Sequence, residues 1–230
     1  MLDERIRRGM TAQLAERRSR ISAGDRPLGW KVGFGAPAAM NALGVDQPLV
    51  GHLMHSGMME SGAELRYAAF NKLAIEPEIA VFLGTGLDDG SDKAVIKAAI
   101  SGLGPAIEIA DVTFPPNAGP EKILAGNVYQ KGIVLGTVDE RRAGARLDGL
   151  SATVCCNGAN IEIPDDLELN TGPILDVVAV VADTLAATGE RLSAGELIIV
   201  GSLVPPLFPE AGTKISLELG DAEPLSIKVI

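Results

Sequence analysis

Apolar and polar positions along this chain follow two periods, and the change from one to the other marks where elements begin and end. Across 3–22, Ile6, Met10, Leu14 and Ile21 fall at helical spacings amid Arg and Glu, which predicts an amphipathic helix closed by Gly24 and Pro27. A short strand follows in Gly29-Trp-Lys-Val-Gly-Phe-Gly35, and Pro37 opens a short helix through Leu43. The pattern then becomes mostly extended, with strands expected at 64–67, 73–83, 106–111, 128–137, 151–156 and 160–163. The last two flank Asn157-Gly158, a type I′ hairpin turn. Helices are expected at 91–100, capped by Ser91, and at 173–187, with Pro173 in its first turn and Gly189 past its end. Strands at 197–200, 214–219 and 225–230 close the chain. Strands cluster and helices do not alternate with them, so the expected class is α+β rather than a doubly wound sheet. Two segments read as mobile: 113–126, rich in Pro, Gly and Ala, and the polar stretch 139–149.

At 230 residues the chain can bury a core without disulfides or a structural metal, and one catalytic domain over 1–230 is expected. The net charge of −10, with no run of Lys or Arg, repels phosphate backbones and anionic lipid surfaces, so nucleic acid and membrane are not expected partners. The N-terminus MLDERIRRGM is too charged for a secretory signal, and 174–187 carries Asp176 and Asp183, so it reads as the helix of a soluble, cytoplasmic protein. Cys155 and Cys156 are adjacent, would point to opposite faces of a strand, and read as free thiols in a reducing compartment.

Candidate chemistry lies in the carboxylates. With 16 glutamates in the chain, one Glu-x-Glu pair is expected by chance about once, so Glu76-Pro77-Glu78 gains its meaning from context. Ile75, Ile79, Val81 and Phe82 make the run β-forming and apolar, and residues i and i+2 share a face. Two like charges on one apolar face resist joint ionisation unless a cation sits between them. Glu108 repeats the pattern in Ala106-Ile-Glu-Ile-Ala110. Three carboxylates without a nearby His or Cys form an all-oxygen set suited to Mg²⁺ or Mn²⁺; the competing reading is solvated faces of edge strands. Lys31, between Trp30 and Val32, is placed to orient an anionic substrate or transfer a proton. His52 and His55 lie between Gly51 and Gly57, read as a loop, and supply no zinc set. No Walker A loop, dinucleotide glycine fingerprint or Gly-x-Ser-x-Gly elbow is present.

Gly29-Trp-Lys-Val-Gly33, Leu43-Gly-Val-Asp-Gln-Pro48 with Gly51, Ile75-Glu-Pro-Glu-Ile-Ala80 and Ala106-Ile-Glu-Ile-Ala-Asp111 occur in an ordered series. Asn127, Asn157-Gly158, the helix from Pro173, Gly189-x-x-Leu-x-x-Gly195 and Gly201-Ser-Leu-Val-Pro205 continue it. In this order the chain, over 29–230, resembles the 2-keto-4-pentenoate hydratase and 4-oxalocrotonate decarboxylase family of the fumarylacetoacetate hydrolase superfamily. The resemblance implies a mixed β-sheet roll with peripheral helices, and metal ligands at Glu76, Glu78 and Glu108 for Mg²⁺ or Mn²⁺. It implies that Lys31 lies by a 2-oxo acid substrate, positioning its carboxylate or assisting proton transfer, with Asn127 contacting substrate or a bound water. The expected activity is hydration of 2-hydroxypenta-2,4-dienoate (2-oxopent-4-enoate) in aromatic-compound degradation. Decarboxylation of 2-oxohex-3-enedioate (4-oxalocrotonate) is the alternative, since both need a stabilised enolate. Only 28 residues precede Gly29, and Gly126, Val112-Thr113 and Leu169-Asn-Thr-Gly-Pro173 depart from the family pattern. A catalytically silent partner subunit in a hetero-complex with a homologous pathway enzyme is therefore a further expectation beside the homo-oligomer that the resemblance favours.

Overall fold

The computed structural model describes residues 2–230. In chain order the main elements are α1 (Glu4–Ser22), β1 (Pro27–Gly33), α2 (Pro37–Leu43), β2 (Leu49–Met54), β3 (Met58–Met59), β4 (Ala63–Leu65), β5 (Leu73–Leu83) and α3 (Lys93–Ala99). They continue with β6 (Ile100–Asp111), α4 (Pro120–Ala125), β7 (Gln130–Leu135), β8 (Ala152–Cys156), β9 (Ala159–Ile161), α5 (Ile174–Ala186), β10 (Leu197–Ser202), β11 (Lys214–Leu219) and β12 (Leu225–Val229).

Seven strands form one sheet in the order β2-β1-β10-β5-β6-β7-β3, and five form a second in the order β4-β12-β11-β8-β9. The two edges of the larger sheet, β2 and β3, are successive in the chain and separated only by 55–57, a tether of roughly 10–14 Å at full extension. A sheet whose edges are so tethered must curl, and it is a roll with an inside and an outside. Parallel pairings (β1 with β10, β3 with β7, β12 with β4) sit among antiparallel ones, so the fold is the expected mixed sheet with peripheral helices.

Strand alternation sorts side chains between the two faces. Outward, Ile75, Ile79, Val81, Ile107, Ile109 and Val134 join the main core, which includes Ile215, Leu217 and Ile227 of the second sheet and Val177, Val178 and Val181 of α5. Inward, Leu53, Ala80, Ala106, Ile133, Leu197 and Ile199 form a separate apolar cluster. Each fully buried Leu or Ile contributes about 1.5–3 kcal/mol, so both layers hold the roll closed.

Several expectations are corrected in detail. β2 occupies the segment read as a loop around His52; it is buried along its whole length, and its Gly51 makes room for the Lys31 and Asn127 side chains. β6 begins at Ile100, six residues before the expected start, because the glycines and proline of 100–105 pair with β5. Asp92, not Ser91, caps α3, accepting from the Ala94 and Val95 N–H groups. The segment read as mobile contains α4, packed on α1 where Gly9 lets the helices approach: a Cβ there would lie 2.6 Å from Leu124 Cβ. Asn157 and Gly158 have the positive φ values of the expected turn. Cys155 and Cys156 are free thiols. Among the described residues no helix is long and apolar enough to cross a membrane.

Candidate metal centre

β5 and β6 run antiparallel with Glu76 opposite Glu108 and Glu78 opposite Ala106. Strand period and register therefore place all three carboxylates on the inner face. One oxygen from each can be chosen so that all lie within 4.8 Å of one another. β1 lies two strands from β5, across β10, where Lys31 pairs with Ile199 and Ile199 with Ala80. Lys31 thus also points inward, and its Nζ donates to both Glu108 oxygens at 2.7 Å and to the Val128 carbonyl at 3.2 Å.

The local sequence makes room for this lysine. A Cβ on Gly51, its partner on β2, would lie 2.9 Å from Lys31 Cγ and 3.1 Å from Asn127 Oδ1. A Cβ on Gly33 would lie 2.7 Å from Val128 Cγ1. The glycines flanking Lys31 in space are therefore demanded by close approach rather than by turns.

Lys31, Glu78 and Glu108 are 2 %, 1 % and 0 % exposed, and Glu76 is half-buried, so the cluster meets solvent through Glu76. Burial works against the Lys31 ammonium, but the charges of Glu108, Glu76 and Glu78 outweigh it and raise its pKa. Burial raises Glu78 well above the ordinary carboxylate range, with Glu108 and Glu76 adding to the rise; Lys31 and the Gly201 N–H, which donates to Glu78 Oε2 at 2.7 Å, oppose it. Glu108 is raised to about 7, again by burial first, with Lys31 pulling the other way. Both Glu108 oxygens accept from the ammonium, the geometry of an ionised carboxylate.

Three carboxylates against one ammonium leave an excess of buried negative charge that protein groups do not answer. A hard cation with oxygen ligands at about 2.0–2.6 Å spaces those ligands by roughly 3–5 Å, which the separations here match. The donor set fits Mg²⁺ or Mn²⁺, and open positions face the solvent side at Glu76.

Asn127 stands beside the cluster with its amide engaged on β2: Oδ1 accepts from the His52 N–H at 2.7 Å, and Nδ2 donates to the His52 carbonyl at 2.9 Å. His52 itself faces outward, paired with Trp30, and lies on the side of the roll away from the carboxylates; His55 follows in a 3-10 turn. The Gly201 N–H and the Val128 carbonyl are polar partners of the cluster that residue type does not reveal. Gly201 lies in the quoted Gly201-Ser-Leu-Val-Pro205 stretch, but backbone donors and acceptors carry no residue-type signal of their own.

The geometry can be set beside known proteins. A family profile described as fumarylacetoacetate (FAA) hydrolase, C-terminal, matches residues 31–230. The chain is 28 % identical to a 4-oxalocrotonate decarboxylase of Pseudomonas sp, over 90 % of this chain and 80 % of that one. It is 30 % identical to a 2-hydroxyhexa-2,4-dienoate hydratase of Comamonas testosteroni, over 87 % of this chain and 77 % of that one. The solved structure of 4-oxalocrotonate decarboxylase from Pseudomonas putida G7, complexed with magnesium and adipate, superposes with a TM-score of 0.82 at 24 % identity, covering 95 % of this chain and 83 % of that one.

Proposed function

The chain belongs to the fumarylacetoacetate hydrolase family, and from that premise we propose that it is a divalent-metal-dependent hydratase of 2-hydroxypenta-2,4-dienoate-type 2-oxo acids. Relatives named as hydratases of 2-keto-4-pentenoate and 2-hydroxyhexa-2,4-dienoate support the reaction class. Neighbouring structures complexed with magnesium, calcium or manganese support a divalent ion.

Adding water to a conjugated 2-oxo acid at C4 passes through an enolate whose charge rests on the 2-oxygen. When bound, the cation supplies Lewis acidity toward that oxygen. Glu76, Glu78 and Glu108 would hold it, and the Gly201 N–H fixes the orientation of Glu78. Lys31 keeps a positive charge against Glu108, beside the carboxylates that would hold the cation. The apolar inner cluster of Ala80, Ala106 and Ile199 limits water beneath the site, which strengthens each of these interactions.

The observation that favours a monocarboxylate is the charge inventory. Among the described residues, Lys31 is the one buried lysine, and the other buried cation, Arg17, lies on the outer side of the roll, stacked on Trp30. A dicarboxylate would call for a second cation inside. Similarity to 4-oxalocrotonate decarboxylase over most of both chains favours the second reading, decarboxylation of 2-oxohex-3-enedioate. The deciding experiment follows the ultraviolet decay of 2-hydroxypenta-2,4-dienoate with and without Mg²⁺ or Mn²⁺ and identifies the product. Metal-dependent formation of 4-hydroxy-2-oxopentanoate is expected. CO₂ release from 2-oxohex-3-enedioate with an inert dienoate would replace the hydratase by the decarboxylase.

A further inference from the structure

Three consecutive non-glycine residues, Asn127, Val128 and Tyr129, have φ of 54°, 50° and 66°. The left-handed region is disfavoured for every L residue and most of all for a β-branched one such as Val128. A run of three persists only where surrounding contacts over-determine it, and such strain gathers at functional sites.

The contacts that hold this turn can be named. The Asn127 side chain donates to the His52 carbonyl and accepts from its N–H, fastening the turn to β2 in the manner of a strand partner. Gln13, fully buried on α1, donates from Nε2 to the Val50 carbonyl of β2 at 2.9 Å and to the Leu124 carbonyl of α4 at 3.1 Å. The Tyr129 hydroxyl donates to the Phe114 carbonyl at 3.0 Å, and its ring lies between those of Phe34 and Phe114. The result of these clamps is the direction of one carbonyl: Val128 O accepts from Lys31 Nζ. With both Glu108 oxygens, it gives each of the three ammonium protons an acceptor.

We infer that Asn127 is a positioning residue that holds the left-handed turn 127–129 so that the Val128 carbonyl fixes the Lys31 ammonium against Glu108. The inference rests on Lys31 and Glu108 being the charged pair of the proposed site, and it gives Asn127 a role through backbone rather than through substrate. Extended backbone at 127–129 would swing the carbonyl away and leave the ammonium one acceptor short in a buried place, where an unmet polar proton is strongly disfavoured.

The test reads the ammonium directly, in the ¹H–¹⁵N spectrum of metal-free protein labelled at lysine nitrogen, with Lys31→Met to assign the signal. An ammonium whose protons are all engaged and shielded exchanges slowly enough to be seen. In Asn127→Ala the Lys31 signal is expected to vanish, and kcat to fall roughly 10- to 100-fold with KM little changed. A wild-type protein without the signal, or a folded Asn127→Ala that retains it unchanged, overturns the inference. If Asn127→Ala does not fold, Val128→Gly and Val128→Ala decide. Both remove the two γ-methyls of Val128, and glycine, which also loses Cβ, ordinarily melts below alanine, but in a left-handed turn the order inverts. Val128→Gly is expected to melt higher; the ordinary order overturns the inference. The ammonium signal and the melting order do not involve substrate, so a protein with an intact clamp and no turnover of the dienoate refutes the proposed function alone.

Discussion

Trp30 and Lys31 are neighbours on β1, and each sits against a buried cluster of opposite charges, one outside the roll and one inside. Outside, the Arg17 guanidinium stacks 4.6 Å over the Trp30 ring and pairs with Glu196 at 3.3 Å and Glu190 at 3.6 Å. Glu196 also accepts from Trp30 Nε1 at 3.3 Å and from the Ser193 N–H at 2.8 Å. Inside, Lys31 meets three carboxylates, Glu78 has one backbone donor, and no hydrogen bond to the Glu76 carboxylate is found among the described residues. Burial and ion pairing are common to both clusters. What differs is whether protein donors answer the acceptors, and unanswered negative charge is the feature that marks a cation site.

The comparison breaks first at Glu78. Replacing an outer partner of a metal ligand typically lowers metal affinity or activity 10- to 100-fold, so Glu78→Gln, which removes a proposed ligand itself, is expected to lower both by about a hundredfold or more. Glu196→Gln, on the outer side, should leave kcat unchanged; an equal loss from both substitutions would erase the distinction. Next comes Arg17→Ala, which strands Glu196 and uncovers Trp30. Breaking a buried pair from one side costs about 3–5 kcal/mol, to be read as a lower urea midpoint with unchanged activity per folded molecule. Third, Mg²⁺ or Mn²⁺ at about a hundred times its Kd should raise unfolding stability by about 2.7 kcal/mol. Arg17→Ala should retain that gain from a lower baseline, and Glu78→Gln should lose it.

Much of the inner cluster could be read from the chain, and almost none of the outer one. Glu76 and Glu78 share a face because strand period is local, and apolar Ile75, Ile79 and Val81 mark that strand. That Glu76 faces Glu108 across the ladder is a matter of register, set by the tertiary pairing of β5 with β6, and the spacing of residues cannot supply it. β2 is hidden in the sequence because His52 and two nearby glycines look like a loop; Gly51 makes space for the Lys31 stem and the histidine turns to the opposite face. α4 is hidden in a Pro- and Gly-rich stretch, since six residues form a helix there by docking on α1 rather than by propensity. The balance of Arg17 with Glu190 and Glu196 joins positions more than 170 apart in the chain, and nothing local announces it.

His52 offers the smallest effect and the sharpest sign. It lies fully buried under α1, and among the described residues neither ring nitrogen has a hydrogen-bond partner. Burial first, then the charges of Arg20 and Arg17, lower its pKa from 6.5 to about 3, with Asp25 opposing. Glu16 Oε2 approaches Nε2 to 3.0 Å, out of line for a hydrogen bond, from a side chain that is half exposed; a screened carboxylate does not offset desolvation and two guanidinium groups. A folded-state pKa below the unfolded one means that the unfolded chain takes up the proton first. Stability is therefore full above pH about 6.5 and is lost as pH falls from there toward about 3. At ~1.4 kcal/mol per pH unit, the part due to His52 between pH 7 and pH 5 amounts to about 2 kcal/mol at most. His52→Phe should flatten the urea-midpoint profile over that interval. A profile that instead rises on acidification, and loses its rise in His52→Phe, would mean that Glu16 holds an imidazolium, and the outer layer would then carry a second ion pair where we place a neutral ring.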